Sequence, residues 1–426
     1  MNDTTVQLIA GAVKVLFIIA LVVLMFAPVL TLAERKISSW MQDRIGPNRA
    51  HIFKVGGKPV VLGGLFHTMA DALKMFAKEW TTPDAADKLL FNLAPVVAVF
   101  PSLLMFAVLP FGPPITVGGH IISLQIANVN VGVLFIFALG SLGVYGAALA
   151  GWASNNKLAL LGALRASAQS ISYEVTFGLT LVGLMMLFQT VQIDHIVESQ
   201  GGLLWGWLPK WGIFMQPLGF VLFFTAALAE NKRIPFDLPE GESEIVGYFV
   251  EYSSMGFGLF MTGEFVEMVV IAFLVTTLFL GGYLIPGATN STVVGMFEHL
   301  VSHEPATWLA AAVGFGVFFV KVVVMLFLQF VVRWALPRFR YDQLMRLGWK
   351  IMLPLSLANL MITGAAILLD PTDGAVGVIG LSMIGIFILS LFYTNTPAAD
   401  RSLHQDPHGT SHDAHGHDAH SAAAAH

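Results

Sequence analysis

The 426-residue chain has no cysteine. It cannot hold a thiolate-ligated iron–sulfur cluster or form a disulfide, so the redox centre of any electron transfer it joins must lie elsewhere. Charge is scarce as well: Asp, Glu, Lys and Arg make up 12% of the residues, against roughly 25% in soluble domains. Residues 1–7 lack a basic n-region and the first apolar run is too long for a signal-peptide core, so no cleavable leader is expected. The net charge of −5 excludes little, because the placement of charge decides more than its sum.

Apolar residues are abundant, at 56% with a mean hydropathy of +0.74. Runs of about 20 of them recur along the chain, as bilayer-spanning helices require. The fold class is all-α, a polytopic transmembrane helix bundle. Nine spans are expected, at about 8–33, 89–112, 131–153, 171–190, 212–230, 254–284, 308–336, 351–369 and 374–395, with eight the alternative count. The last two are divided by a tight Asp370-Pro-Thr-Asp-Gly374 turn. No internal repeat is evident, which weighs against a transporter built from two repeated halves. Of the 22 lysines and arginines, all but Lys14, Lys210 and Lys321 fall in the loops and tail of one side. By the positive-inside rule the N-terminus is outside and the C-terminus cytoplasmic.

Residues 62–80 (LGGLFHTMADALKMFAKEW) follow another pattern. Leu62, Leu65, Phe66, Met69, Leu73, Phe76 and Trp80 recur at steps of three and four, with Asp71, Lys74 and Lys78 opposite. This predicts an amphipathic helix lying in the cytoplasmic interface. The transmembrane domain is expected over 1–396. Beyond it, 397–426 is low-complexity and carries His404, His408, His412, His415, His417, His420 and His426. Such tracts can bind transition metals, but no ligand spacing is fixed here; a disordered tail and no metal site are expected.

The loop between the fifth and sixth spans, PFDLPEGESEIVGYFVEY, holds Asp237, Glu240, Glu242, Glu244 and Glu251. On a helix, Glu240, Glu244 and Glu251 would share one face, where like charges raise each other's pKa and favour proton exchange. A solubilising loop is the plainer alternative. Glu174 and Glu230 stand at the cytoplasmic mouths of the fourth and fifth spans. Glu264 lies about ten residues into the sixth span, roughly 15 Å deep, and Lys321 about 13 residues into the seventh, roughly 20 Å down. A charge at the centre of a membrane helix costs about 2.5–3.5 kcal/mol, so the two are expected to pair or to share a hydrated cavity. Glu267 lies in the same span; Lys14 reads as a snorkelling residue.

Four stretches, AERKISSWMQDRIGPN (33–48), LLGALRASAQSISYEV (160–175), RIPFDLPEGESEIVGYFVEY (233–252) and RWALPRFRYDQLM (333–345), closely resemble the quinone-site membrane subunit of respiratory complex I, as does ADALKMFAKE (70–79). The resemblance covers about 390 residues. It implies a non-redox membrane subunit of a proton-translocating NADH:quinone oxidoreductase in the bacterial plasma membrane, with no activity of its own. FMN and the iron–sulfur clusters are then expected in partner subunits; the partners implied are the peripheral-arm quinone-site subunits and small membrane-arm subunits, with no nucleic acid. The substrate implied is a quinone, ubiquinone or menaquinone, entering from the lipid. By motif matching, Arg35, Arg44, Asp71 and Lys74 mark its passage, with Arg233 and Phe236 near the inner part. The same resemblance implies an acidic path for proton coupling, through Glu174, Glu230, Asp237, Glu240, Glu242, Glu244, Glu251, Glu264 and Lys321.

The chain departs from the family at three places. Glu230-Asn231-Lys232-Arg233 stands where ETNR is common, and His67-Thr68 replaces a Gln-Pro pair of the interfacial helix. Glu267 also replaces a residue that is usually uncharged. Two alternatives are a membrane-bound hydrogenase heel subunit and a stand-alone proton or cation transporter. The first stretch and ADALKMFAKE favour the quinone enzyme over the hydrogenase, and the specific cytoplasmic loops favour a docked subunit over a transporter.

Overall fold

The computed structural model describes residues 3–52, 54–55, 58–59, 61–238, 245–299, 302–369 and 374–394. Glu240, Glu242, Glu244 and the whole His-rich tail lie outside the described residues. The chain forms two compact units, Met1–Met383 and Ile384–His426. The second is helical from its start to Thr394.

Helices dominate. The first, α1 (Asp3–Ile19), passes through a π-helical segment, Ala20–Phe26, into α2 (Ala27–Met41). Next come the short strands β1 (Lys54–Val55) and β2 (Lys58–Pro59), then α3 (Leu65–Ala77) and α4 (Lys88–Met105). A ribbon of β3 (Ile115–Val117) and β4 (His120–Ile122) precedes α5 (Gly132–Ala153), α6 (Lys157–Phe188) and α7 (Ile193–Ser199). A last ribbon, β5 (Leu203–Leu204) with β6 (Leu208–Pro209), leads to α8 (Gly212–Met215), α9 (Pro217–Glu230) and α10 (Ser254–Phe279). The chain continues as α11 (Asn290–Glu298), α12 (His303–Ala335) and α13 (Tyr341–Arg346), a π-helical turn Leu347–Met352, α14 (Leu353–Leu369) and α15 (Gly374–Thr394).

Seven helical stretches among the described residues are long and apolar enough to cross a membrane: Ile9–Met41, Lys88–Met105, Gly132–Ala153, Lys157–Phe188, Ser254–Phe279, His303–Ala335 and Tyr341–Leu369. They coincide with seven of the expected spans. Pro217–Glu230 is apolar but shorter and lies at the fifth expected span, and the apolar α15 (Gly374–Thr394, 21 residues) lies at the ninth. The fifth expected span is broken at Gln216, because the residue before a proline is driven out of the α region and Pro217 has no N–H to donate. The buried Gln216 side chain fills the gap, donating to the Gly183 carbonyl (3.2 Å) and to Thr363 Oγ1 (2.9 Å). Conversely, α6 starts well before the expected span. At 32 residues it runs about 48 Å, longer than the roughly 30 Å hydrocarbon core.

Lipid gives little hydrophobic drive for one helix to join another, so close backbone approach carries the packing. Gly146 of α5 lies so near α4 that a Cβ there would come within 2.6 Å of the Ala98 Cα. At the centre stands α10, where Phe273 meets Phe106, Phe111 and Phe318 edge-on at centroid distances of 5.0–5.4 Å. The predicted interfacial helix forms as α3, one turn shorter than its apolar stripe, and Lys78 is already extended. Met69, Leu73 and Phe76 on it are exposed, while Phe66 is buried. Ser254 at the start of α10 fixes its far end by donating to the Met75 and Lys78 carbonyls (both 2.8 Å).

Gly146→Leu should abolish the folded, monodisperse subunit in detergent, whereas Gly143→Leu on the same helix, with nothing within 4 Å of the added carbon, should leave it intact. Size-exclusion chromatography of the two variants checks this.

Candidate functional site

Adjacent residues of a helix point about 100° apart, and α2 uses this to face two ways. Arg35 turns toward α3, where its NH1 lies 2.6 Å from Asp71 Oδ2, both side chains being roughly half exposed. Lys74, one turn further along α3, and Arg44, in the turn after α2, are exposed. Of the six residues expected to mark the quinone passage, these four lie at the surface.

Glu34 turns inward. Its Oε2 is 3.2 Å from Arg233 NH1, and its Oε1 is 2.8 Å from Arg333 NH1 at the end of α12. The same Arg233 places Nε 3.6 Å from Glu264 Oε2 on α10. That distance is an ion pair without a hydrogen bond, and Arg233 Nε has no hydrogen-bond partner among the described residues. Only 7% of the Arg233 side chain is exposed, and its guanidinium lies over the Phe265 ring, 4.2 Å from the centroid. One cation thus serves two carboxylates on two helices.

The loop that delivers Arg233 is pinned from behind. Gln169 Nε2 donates to the Ala229 and Phe236 carbonyls, both at 2.7 Å. Phe236 packs between Tyr173 and Phe339 (5.7 and 5.5 Å between centroids) and is 3% exposed. Asp237 follows, paired with Arg338 at 3.2 Å, while its Oδ1 has no hydrogen-bond partner among the described residues. Burial pushes its carboxyl up to about 7; Arg338 opposes this, Glu264 adds to it, and Arg333 and Arg233 oppose it.

Beyond Glu264 the carboxylates continue. Glu267 stands one turn further along α10. The Asn231 amide, with its nitrogen turned toward α10, donates to the Glu264 carbonyl (3.2 Å) and to Glu267 Oε2 (3.3 Å). Glu230, at the end of α9, has Glu267, Glu174 and Lys232 as charged neighbours. Glu174 of α6 accepts a hydrogen bond from Ser141 of α5. The string therefore runs Glu34, Arg233, Glu264, Glu267, Glu230, Glu174. Glu251 is held apart from it, accepting from Asn156 Nδ2 (2.5 Å) at the start of α6.

The expected pairing of Glu264 with Lys321 does not form. Lys321 Nζ donates to the carbonyls of Leu280 (2.7 Å), Gly282 (2.9 Å) and Leu284 (2.7 Å) and lies over the Trp211 ring at 4.5 Å. Leu280 is 16 residues beyond Glu264, about 24 Å along the axis. The C-terminal end of α10, rich in unpaired carbonyls, attracts the ammonium, and turns at Gly281 and Gly282 (φ 73° and 53°) aim those carbonyls at it. Lys14, read as snorkelling, is tied to the Gln125 carbonyl at 3.0 Å.

Sequence reasoning did not single out Glu34, Arg333 or Arg338. Each stands inside a stretch quoted for its specificity, so the motifs held the signal, but the partners are far apart in sequence.

Because folding raises the Asp237 pKa from an ordinary value near 3.8 to about 7, the native state holds the proton that the unfolded state has released between those values. Stability from this group is full below the lower value and is lost as pH rises through the upper one. Thermal melts should show the advantage of wild type over Asp237→Asn shrinking from about pH 4 to about pH 8; a pH-independent difference would contradict this.

A family model described as NADH dehydrogenase matches residues 13–364. Among known proteins, the chain is 45% identical over 358 residues to the H subunit (form 1) of NADH-quinone oxidoreductase from Cytophaga hutchinsonii, covering 84% of this chain and 96% of that one. It is 45% identical over 353 residues to the corresponding Geobacter metallireducens protein (83% and 95%), and 40% over 366 residues to that of Flavobacterium johnsoniae (86% and 96%).

Proposed function

This chain belongs to the NADH dehydrogenase family, as an H-type membrane component of NADH-quinone oxidoreductase, and from that premise we propose that it joins a quinone passage to the proton machinery through the buried string beginning at Glu34. Membership leaves the hydrogenase-heel and stand-alone transporter readings without support. The observation that carries the proposal is the Arg233 guanidinium shared between Glu34 and Glu264.

In this reading the quinone, ubiquinone or menaquinone, approaches between α2, α3 and α10. The exposed apolar edge of α3 (Met69, Leu73, Phe76) accommodates the isoprenoid tail, while Arg35, Asp71, Lys74 and Arg44 mark the polar side. Electrons come from flavin and iron–sulfur clusters in peripheral-arm subunits docked on the loop-rich face, which is cytoplasmic; the N-terminus is outside and small membrane-arm subunits lie alongside. Reduction consumes protons and changes the charge near Glu34. Arg233 then redistributes its attraction between Glu34 and Glu264, and the change passes through Glu230 to Glu174. Asp237, with its carboxyl near 7, takes or yields a proton at the edge of this string. Glu240, Glu242, Glu244 and Glu251 of the acidic sequence stretch are proposed as further members of the path. Lys321 serves the path indirectly, by fixing the end of the helix that carries Glu264.

The test uses the assembled enzyme. Glu264→Gln and Glu174→Gln should each lower quinone-linked proton pumping by about tenfold or more, equivalent to about 1.4 kcal/mol or more on the barrier. NADH oxidation with an artificial acceptor at the peripheral arm should continue. Wild-type pumping in both assembled variants would reject the coupling role.

A further inference from the structure

We propose that Glu267 is a working member of the buried carboxylate string, the group through which a charge change at Glu264 reaches Glu230, and that Lys232 is the counter-charge the three carboxylates share. The inference rests on the coupling role proposed above and extends it to two residues outside the implied path.

Four observations carry it. Glu264 and Glu267 are three residues apart on α10, so their side chains leave the same face. The Asn231 amide holds that face to the end of α9 by bonding the Glu264 carbonyl and the Glu267 carboxylate together. Glu230 has Glu267 among its charged neighbours, and Glu267 has Glu264. Finally, Lys232 is a charged neighbour of Glu230, Glu264 and Glu267 alike.

The backbone at Lys232 supports the assignment. Its φ of 55° lies in the left-handed region, which favours glycine or asparagine just past a helix end. A lysine there accepts an unfavourable backbone conformation to bring its ammonium over the Tyr248 ring (5.8 Å), whose hydroxyl lies 3.5 Å from Glu264 Oε1. The extra cation and the extra carboxylate answer each other: removing either shifts the charge balance of a partly buried cluster in which Arg233 is the other cation near Glu264 and Glu267.

The experiment compares four variants of the assembled complex, Glu267→Gln, Lys232→Gln, the double variant and Glu264→Gln, by pumping rate and protons moved per NADH. Glutamine keeps an acceptor for Asn231 while removing the charge. Glu267→Gln should slow pumping by about tenfold, equivalent to about 1.4 kcal/mol on the barrier, and the double variant should stay slow because the connecting carboxylate is still gone. Recovery to wild-type pumping in the double variant would make the pair a static charge balance and overturn the proposal. Wild-type pumping in Glu267→Gln with slow Glu264→Gln overturns it while the coupling role stands; wild-type pumping in both removes the coupling role as well. If Glu267→Gln does not assemble, Lys232→Gln decides from the cation side: the proposal requires slowed pumping there, and wild-type pumping overturns it.

Discussion

A guanidinium taken out of water must be paired, and Arg233 is paired twice, with Glu34 on α2 and Glu264 on α10. Neither carboxylate can change its charge without altering the hold of the cation on the other. At a separation of about 4 Å and an effective dielectric near 20, such an interaction is worth about 4 kcal/mol, several times thermal energy. The arrangement is therefore a stable feature of the fold and a sensitive one. Arg333 steadies Glu34 from the second oxygen, so the loss of one partner does not leave that carboxylate bare.

Much of the bundle serves to bring these groups together. The helical offset between Glu34 and Arg35 lets α2 present Arg35 to Asp71 at the surface and Glu34 to Arg233 and Arg333 within the bundle at once. Ser254 ties the end of α3 to the helix that carries Glu264. Gln169 holds the Arg233 loop against α9, and Lys321 secures the far end of α10. These fixings use side-chain donors on backbone carbonyls, a strong device where water does not compete.

The helical bundle was legible because lipid demands long apolar helices, and apolar length survives in a linear reading. The break at Gln216 was less so: Pro217 was visible, but its effect depends on what fills the gap. Depth along a helix placed Glu264 and Lys321 at similar levels and led to a wrong pair. It could not register that α10 ends at Phe279 and turns its carbonyls toward Lys321. The charged stretches pointed to the correct neighbourhood, yet the true ion-pair partner of Glu264, Arg233, came from the loop after α9. Side-chain direction decided the matter, and only the packed helices fix it.

The most direct measurement is the infrared difference spectrum of the assembled enzyme between oxidised and NADH-reduced states, taken for wild type and for Glu264→Gln. The account predicts a carboxylate change on quinone reduction that is absent from the Glu264→Gln spectrum. Identical difference spectra from the two proteins would mean that the charge change never reaches Glu264, and the shared guanidinium would then be a structural tie alone.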